Sequence, residues 1–233
     1  MNTRPGPVRD APRGIELPLV VGLDDGTPLR LRLGTPDDGD ALVAGFARLS
    51  EASRFARFFT GINRLSDLDV DRLLEIDESR HVAVVAEDTS RISDVDEQTI
   101  GLGVGVGRYI TSNADPTRAE IAVAVIDEYH GRGIGRLLLD ALIDHAVANG
   151  ITTGTATVLS VNTKMLGLLT SMGATPRSDP DDRTIVELEI PMEVDHAGRS
   201  HLLSNLSLTS GAGATLPPPS AVGPGSCRPI CVA

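Results

Sequence analysis

The sequence predicts an α+β domain built on a mixed sheet. Three observations carry that expectation. Strand-like and helix-like periodicities follow one another in the order β-α-α-α-β-β-β-α-β-α-β-β. Hydrophobic residues make up 41% of the 233, enough for a buried core. Aromatic residues contribute only 3% and Trp is absent, so that core must be aliphatic.

Each element has its own signal. Leu29, Leu31 and Leu33 alternate with Arg30 and Arg32, the pattern of a half-buried strand. Residues 37–50 carry Leu42, Val43, Phe46 and Leu49 at helical spacing. A short helix over about 51–59 would put Phe55, Phe58 and Phe59 on one side. Ser66 with Asp69 forms a capping-box pattern opening a third helix, whose apolar face would be Leu68, Leu73, Leu74 and Ile76.

His81–Ala86 reads as a Val-rich strand, and 99–111 as a strand with glycines at 101, 103, 105 and 107. Those glycines lie on one face and leave it as bare backbone, so something packs very close there. They fail the dinucleotide pattern because position 106 is Val. Residues 118–126 form the next strand, followed by a helix over 132–148 that Gly150 stops. Then come strand 153–159, helix 163–172 ended by Gly173, and a hairpin with arms near 174–177 and 183–190. Asp179, Pro180 and Asp181 supply its turn. The strand-helix-strand unit in this second half predicts a parallel crossover.

Composition divides the chain into a lead over 1–14, a folded body over 15–193, and a tail over 194–233 rich in Ser, Gly, Pro and Ala. Net charge is −11, and both end segments carry a positive excess, so the body is more acidic still. Such a body repels phosphate backbones, which argues against nucleic acid, and it attracts cationic partners such as amines. Acidity also serves plain solubility. Cys227 and Cys231 both lie in the tail, so the body has no disulfide, and two thiols without clustered His are a poor metal site. No metal is expected. No apolar run reaches membrane-spanning length and the N-terminus has no apolar h-region. The expected compartment is the cytoplasm, with no membrane association.

The informative stretch is Glu120 to Arg136. An apolar strand runs into a glycine-rich turn, and the turn opens a long amphipathic helix. Gly131, Gly133 and Gly135 let the backbone approach an anion without Cβ obstruction. The first helical N–H groups have no intrahelical partner, so the turn is a phosphate cradle, and Arg132 and Arg136 add positive charge. The stretch is neither a P-loop, since no Gly-Lys-Ser/Thr follows, nor a dinucleotide fingerprint.

His130-Gly131-Arg132-Gly133-Ile134-Gly135, following a strand that ends near Val125, resembles the pyrophosphate motif Q/R-x-x-G-x-G/A of GNAT acyltransferases. Asn162, Leu168 and Gly173 resemble the second hallmark, N-x-x-x-x-x-L-x-x-x-x-G. The resemblance covers roughly residues 27–191. It implies a mostly antiparallel central sheet flanked by helices, with acetyl-CoA wedged between two splayed parallel strands, 120–126 and 153–159. It also implies direct transfer of the acetyl group to a primary amine. Residues 53–59, 65–67 and 73–77 further resemble bacterial protein lysine acetyltransferases, in which a strand glutamate acts as general base. Here that residue is Glu120.

Two departures stand out. The usual Gln or Arg at the first motif position is His130, and the tyrosine many members use as general acid is replaced by Leu169. Proton return to the thiolate must then come from elsewhere, such as solvent.

The resemblance implies that Glu120 accepts the proton of the attacking amine. On the residues alone, Glu120 reads as a solvated strand-end carboxylate. Val123 and Val125 would offer backbone groups to the pantetheine arm, while His130, Gly131, Arg132, Gly133, Ile134, Gly135 and Arg136 would hold the pyrophosphate. Asn162 suits both a bond to the cofactor arm and the cap of its helix, two compatible roles. His145 reads as a hydrogen-bonded core histidine. With no cysteine in the body, a covalent relay through Cys is disfavoured. The acceptor would be a protein lysine or a small amine such as a polyamine. A different class of reading is a non-catalytic acyl-CoA-binding module.

Overall fold

The computed structural model describes residues 16–92, 95, 100–178 and 182–192. The expected end segments, both cysteines and the hairpin turn at 179–181 lie outside the described residues. Among the described residues eight strands form one sheet: β1 Leu19–Gly22, β2 Pro28–Leu33, β3 His81–Ile92, β4 Ile100–Thr111, β5 Arg118–Val125, β6 Thr153–Leu159, β7 Thr175–Ser178 and β8 Ile185–Pro191. Five α-helices accompany them: α1 Gly39–Ala47, α2 Glu51–Phe58, α3 Asp67–Leu73, α4 Ile134–Ala148 and α5 Thr163–Ser171. The sheet order is β1-β2-β3-β4-β5-β6-β8-β7, and every neighbouring pair except β5–β6 is antiparallel. The expected α+β fold with a parallel pair in a mostly antiparallel sheet is the one observed.

The bare face of β4 explains the closeness of α4. A Cβ on Gly105 would lie 3.1 Å from Leu138 Cδ1 and from the Ala124 carbonyl, and one on Gly107 would lie 3.4 Å from Leu138 Cβ. Leu138, Leu139 and Leu142 are buried on the helix and Ile121 and Val123 on the sheet. The missing side chains thus become helix-to-sheet contact. Gly103 does not share this role: a bulge beside Val104 breaks the alternation and a Cβ at 103 meets nothing.

The other face is covered by α1, α2 and α3. On it lie Val106 and Arg108 of β4, and Ala83 and Val85 of β3, under Leu42, Phe46, Leu73 and Leu74. Ser66 caps α3 as the sequence predicts, with Asp69 bonding back to the Ser66 N–H.

Three expectations are corrected. β1 went unread, because four residues are too short a run for a period and its partner is supplied through the turn at Gly26. Leu68 of α3 is 57% exposed, since the helix is only two turns long and buries its end at Leu73. On α2, Phe55 is 46% exposed while Arg57 is 5% exposed. The helix turns its arginine inward and leaves that phenylalanine at the rim of a cleft.

A charge network ties β2 to β3. Glu87 is buried, and its two carboxylate oxygens accept from Arg30 at 2.7 Å and Arg32 at 2.8 Å. Arg32 reaches on to Asp38 with two bonds of 2.9 and 2.6 Å. The arginines alternating with the leucines of β2 are therefore structural.

Candidate active site

The parallel strands β5 and β6 pair at three positions only: Arg118 with Thr153, Ala119 with Gly154, and Glu120 with Thr155. Beyond Glu120 they splay. Farther along β5, Val123, Ala124 and Val125 border a cleft of about 780 Å³. On the far side β5 stays paired to β4 as far as Val125 with Gly105.

At the strand's end a 3-10 turn over Asp127–Tyr129 leads into Gly131 and Gly133, whose φ angles are +76° and +81°. A side chain at either would meet no atom within 4 Å, so glycine is required there by backbone conformation and not by crowding. The left-handed residue at 133 turns the chain into α4 without a side-chain cap. The first intrahelical bond is donated by Leu137 to Gly133, at 3.1 Å. The amides of Ile134, Gly135 and Arg136 therefore open the helix with no intrahelical acceptor, at the positive end of a fifteen-residue dipole. Such a cradle accepts an anion.

Nine of the ten predicted cofactor residues line this one cleft: Val123, Val125, His130, Gly131, Gly133, Ile134, Gly135, Arg136 and Asn162. Arg132 does not. Its guanidinium pairs with Asp25 at 3.1 Å and sits over the Tyr129 ring at 4.6 Å. Arg136 lines the cleft, yet its Nε–H is shared by both oxygens of Asp140 at 3.0 Å, one helical turn on. The positive character of the cradle thus comes chiefly from main-chain amides.

His130 has a specific local partner. Its Nε2–H donates to the Val125 carbonyl at 2.8 Å, a bond that closes the turn between strand and cradle. Asn162 caps α5, its Oδ1 accepting from the Met165 N–H at 3.2 Å. The cap leaves the amide nitrogen of Asn162 for the cleft. Leu169 is buried in the core.

Glu120 stands where pairing stops. Its Oε1 is buried without a hydrogen-bond partner. Burial pushes its carboxyl above the usual carboxylate range, and the Arg57 guanidinium opposes that rise. In register across the sheet, Glu120 lies between Ile110, itself opposite His81, and Thr155, itself opposite Glu189. Arg108 is buried on the same face. Its Nη1 donates to the Leu73 carbonyl at 3.2 Å and meets His81 Nε2 at 3.3 Å. Burial and then Arg57 bring Arg108 down to about 9, and burial and then Arg108 bring His81 down to about 4.

A second, narrower cavity of about 110 Å³ lies under α1–α3, with mostly apolar walls. Leu49, Arg57 and Ala124 line both spaces.

Sequence reasoning passed over Asp127. Its carboxylate accepts from the Ser50 N–H at 2.8 Å, from the Ser50 hydroxyl at 2.6 Å and from the Ser53 hydroxyl at 2.9 Å. Burial pushes this carboxyl up, but those bonds prevail and hold it below the usual range. Asp127 thus staples the start of α2 to the loop that leads into the cradle. His145 takes a core role: its Nδ1 lies 3.1 Å from the Tyr109 hydroxyl.

This arrangement defines an acyltransferase: splayed parallel strands, an amide cradle at a helix start, and a carboxylate at the fork. The chain belongs to the GNAT acetyltransferase family, whose pattern it matches over residues 55–174. It uses acetyl-CoA, and the cleft suits that ligand, its open end formed by amides and side-chain-free glycines.

An acetyltransferase of Pseudomonas aeruginosa is 32% identical over 167 residues, which is 72% of this chain and 86% of the relative. Acetyltransferase Pat of Mycolicibacterium smegmatis is 26% identical over 174 residues, 75% of this chain; the match spans about half, 49%, of that longer relative. The GNAT domain of S. lividans PAT superposes with a TM-score of 0.63 at 31% identity, covering 74% of this chain and 95% of that domain. Among the described residues no helix is long and apolar enough to cross a membrane.

Proposed function

We propose that this enzyme acetylates the side-chain amine of protein lysines, with Glu120 as general base. The observation that carries the reading is the end of β5–β6 pairing at Glu120, which leaves a buried carboxylate oxygen without a partner at the fork between two strands. Resemblance to protein lysine acetyltransferases over residues 53–59, 65–67 and 73–77 supports the acceptor class. So does the narrow apolar cavity under α1–α3, which suits the methylene stem of a lysine. The acidic surface favours approach of a cationic protein segment.

Acetyl-CoA supplies the thioester carbon that the amine attacks. The cradle amides from Ile134 onward hold the pyrophosphate, and the free edge of Val123–Val125 orients the pantetheine arm. Lysine enters protonated, with a reference pKa of about 10.4, so it must lose a proton to attack. Glu120 takes that proton, directly or through a water. The C–N bond forms as the C–S bond breaks, and the thiolate leaves as CoA after taking a proton from solvent.

Glu120→Gln should lower kcat/KM by about 10²–10⁴-fold with CoA binding intact. An undiminished rate removes Glu120 from the base role. A wild-type protein that binds CoA but transfers nothing would instead favour a binding module. Incubating radiolabelled acetyl-CoA with a panel of proteins and small amines tests the acceptor. Rapid turnover of polyamines with no labelled protein would retire the lysine reading.

A further inference from the structure

The cavity under α1–α3 is apolar over most of its wall, yet two arginines border it, Arg57 from α2 and Arg108 from β4. They are 5% and 6% exposed. The guanidinium carbon of Arg57 lies 5.0 Å from the centre of the Phe58 ring, which packs edge-on against Phe46 with centroids 5.6 Å apart. A guanidinium is seldom buried without an anion, because water solvates its charge far better than an apolar wall does.

The cavity holds no carboxylate to spare for Arg108. Its Nη1 donates to the Leu73 carbonyl at 3.2 Å and meets the His81 ring at 3.3 Å, and neither group is an anion. Among the described residues Arg108 makes no ion pair, and Asp38 is the one carboxylate on the cavity wall. Asp38 is already committed. Its Oδ1 accepts from Arg32 at 2.6 Å, and its Oδ2 accepts from Arg32 at 2.9 Å and from the Thr35 N–H at 2.7 Å.

We propose that this cavity is a carboxylate site of the acyl-transfer reaction, in which Arg57 and Arg108 receive a carboxylate carried on a short apolar stem. Guanidinium groups suit that ligand, since their planar donors match its two oxygens. Leu42, Phe46, Val106 and Ile126 supply apolar wall for the stem, and about 110 Å³ admits a chain of a few carbons. Arg57, with Leu49 and Ala124, also borders the cofactor cleft, so the site opens on the space through which the thioester is delivered. Burial and the like charge of Arg57 hold Arg108 down at about 9, and an anion in the cavity would offset both.

Two bearers fit this chemistry. The donor brings the carboxylate if its acyl group ends in one, as in succinyl-CoA. The acceptor brings it if the lysine has a free α-carboxylate, on the stem that the proposed reaction places in this cavity. The second bearer rests on the proposed transfer to lysine, and the first does not. In either case the C–N bond forms as the C–S bond breaks, and the carboxylate is bound without being consumed.

Two pairs of probes test the site. Succinyl-CoA carries a carboxylate where butyryl-CoA has a methyl group, and calorimetric titration of each without acceptor reads the donor. Nα-acetyllysine against its amide, compared in kcat/KM with acetyl-CoA, reads the acceptor. At least one pair should favour the carboxylate by about 10–100-fold, and that pair identifies the bearer. No preference in either pair overturns the inference. Arg108→Met, close in volume and without donors, should cut the preference to within about threefold. Arg57→Met serves in its place if Arg108→Met does not fold. A preference undiminished in the folded variant puts the carboxylate elsewhere and overturns the inference too. The two readings fail separately. Acetylation of protein lysines with no preference in either pair removes the carboxylate site and leaves the proposed reaction standing. Tighter binding of succinyl-CoA by a protein that transfers nothing does the reverse.

Discussion

Replacing Gly133 by Ala tests the cradle through its backbone alone. The residue has φ +81° and a Cβ there meets no atom within 4 Å, so the substitution adds strain without collision. Holding a non-glycine residue in the left-handed region costs about 1–2 kcal/mol. Alanine has two ways to respond. If it keeps the native φ, the free protein loses about 1–2 kcal/mol of stability and binds CoA as before. If it relaxes, stability recovers, but the opening amides of α4 are misaimed. CoA must then restore them, at a loss of about 5–30-fold in affinity. The two losses trade against each other, and their sum should stay near 1–2 kcal/mol. Urea denaturation of the apo protein and calorimetric CoA titration measure both. Gly167→Ala is the control: it lies inside α5, exposed, with nothing within 4 Å, and should gain about 0.5–1 kcal/mol. If Gly133→Ala left both quantities untouched, the cradle would not depend on its left-handed turn and the reasoning would be wrong. An affinity loss far beyond thirtyfold would refute the claim that strain is the whole effect.

Asp127→Ala removes the carboxylate that accepts three hydrogen bonds from the start of α2 and should cost about 1–2 kcal/mol. It should also raise KM for acetyl-CoA more than it lowers kcat, as steady-state kinetics would show. Glu87→Ala leaves Arg30 and Arg32 facing each other beside β3 and should cost about 2–3 kcal/mol in urea denaturation, less than a fully buried pair because both arginines are partly solvated. His81 is held neutral by burial and by Arg108, with its pKa brought from 6.5 to about 4. Since the folded value lies below the unfolded one, its neutral form favours folding above pH 6.5. As pH falls from there towards 4 the unfolded chain takes up the proton first, and stability is lost, by on the order of 3 kcal/mol at most. His81→Asn should flatten that part of the stability–pH curve relative to wild type, and parallel curves would contradict the assignment.

The elements with strong local signals were legible in the sequence. β6 spans 153–159 as periodicity predicts, α4 ends before Gly150 with its φ of +80°, and the Ser66 capping box is formed. The glycine face of β4 announced a close neighbour, and Leu138 is that neighbour. The cleft was readable because a phosphate cradle is a local property of one strand–turn–helix segment. What could not be read depends on tertiary placement. Arg132 and Arg136 carry the same charge four residues apart, yet one leans out to Asp25 and Tyr129 and the other borders the cleft. Asp127 and Ser50 lie far apart in the chain and meet only once α2 is laid beside the β5–α4 loop. Arg57 sits among phenylalanines whose inward orientation the sequence suggests, and only the packed sheet face beneath α2 decides which of them turns in. The one available signal was its isolation as a charge inside an apolar run.

The three-pair seam between β5 and β6 divides the sheet into a five-stranded and a three-stranded leaf. A ligand lying along the unzipped edge would serve as a surrogate ninth strand, lending its amide groups where main chain is missing. Occupancy should therefore be felt as mechanical closure of the two leaves, with slowed amide exchange reaching β6 and β8 well away from any atom the ligand touches.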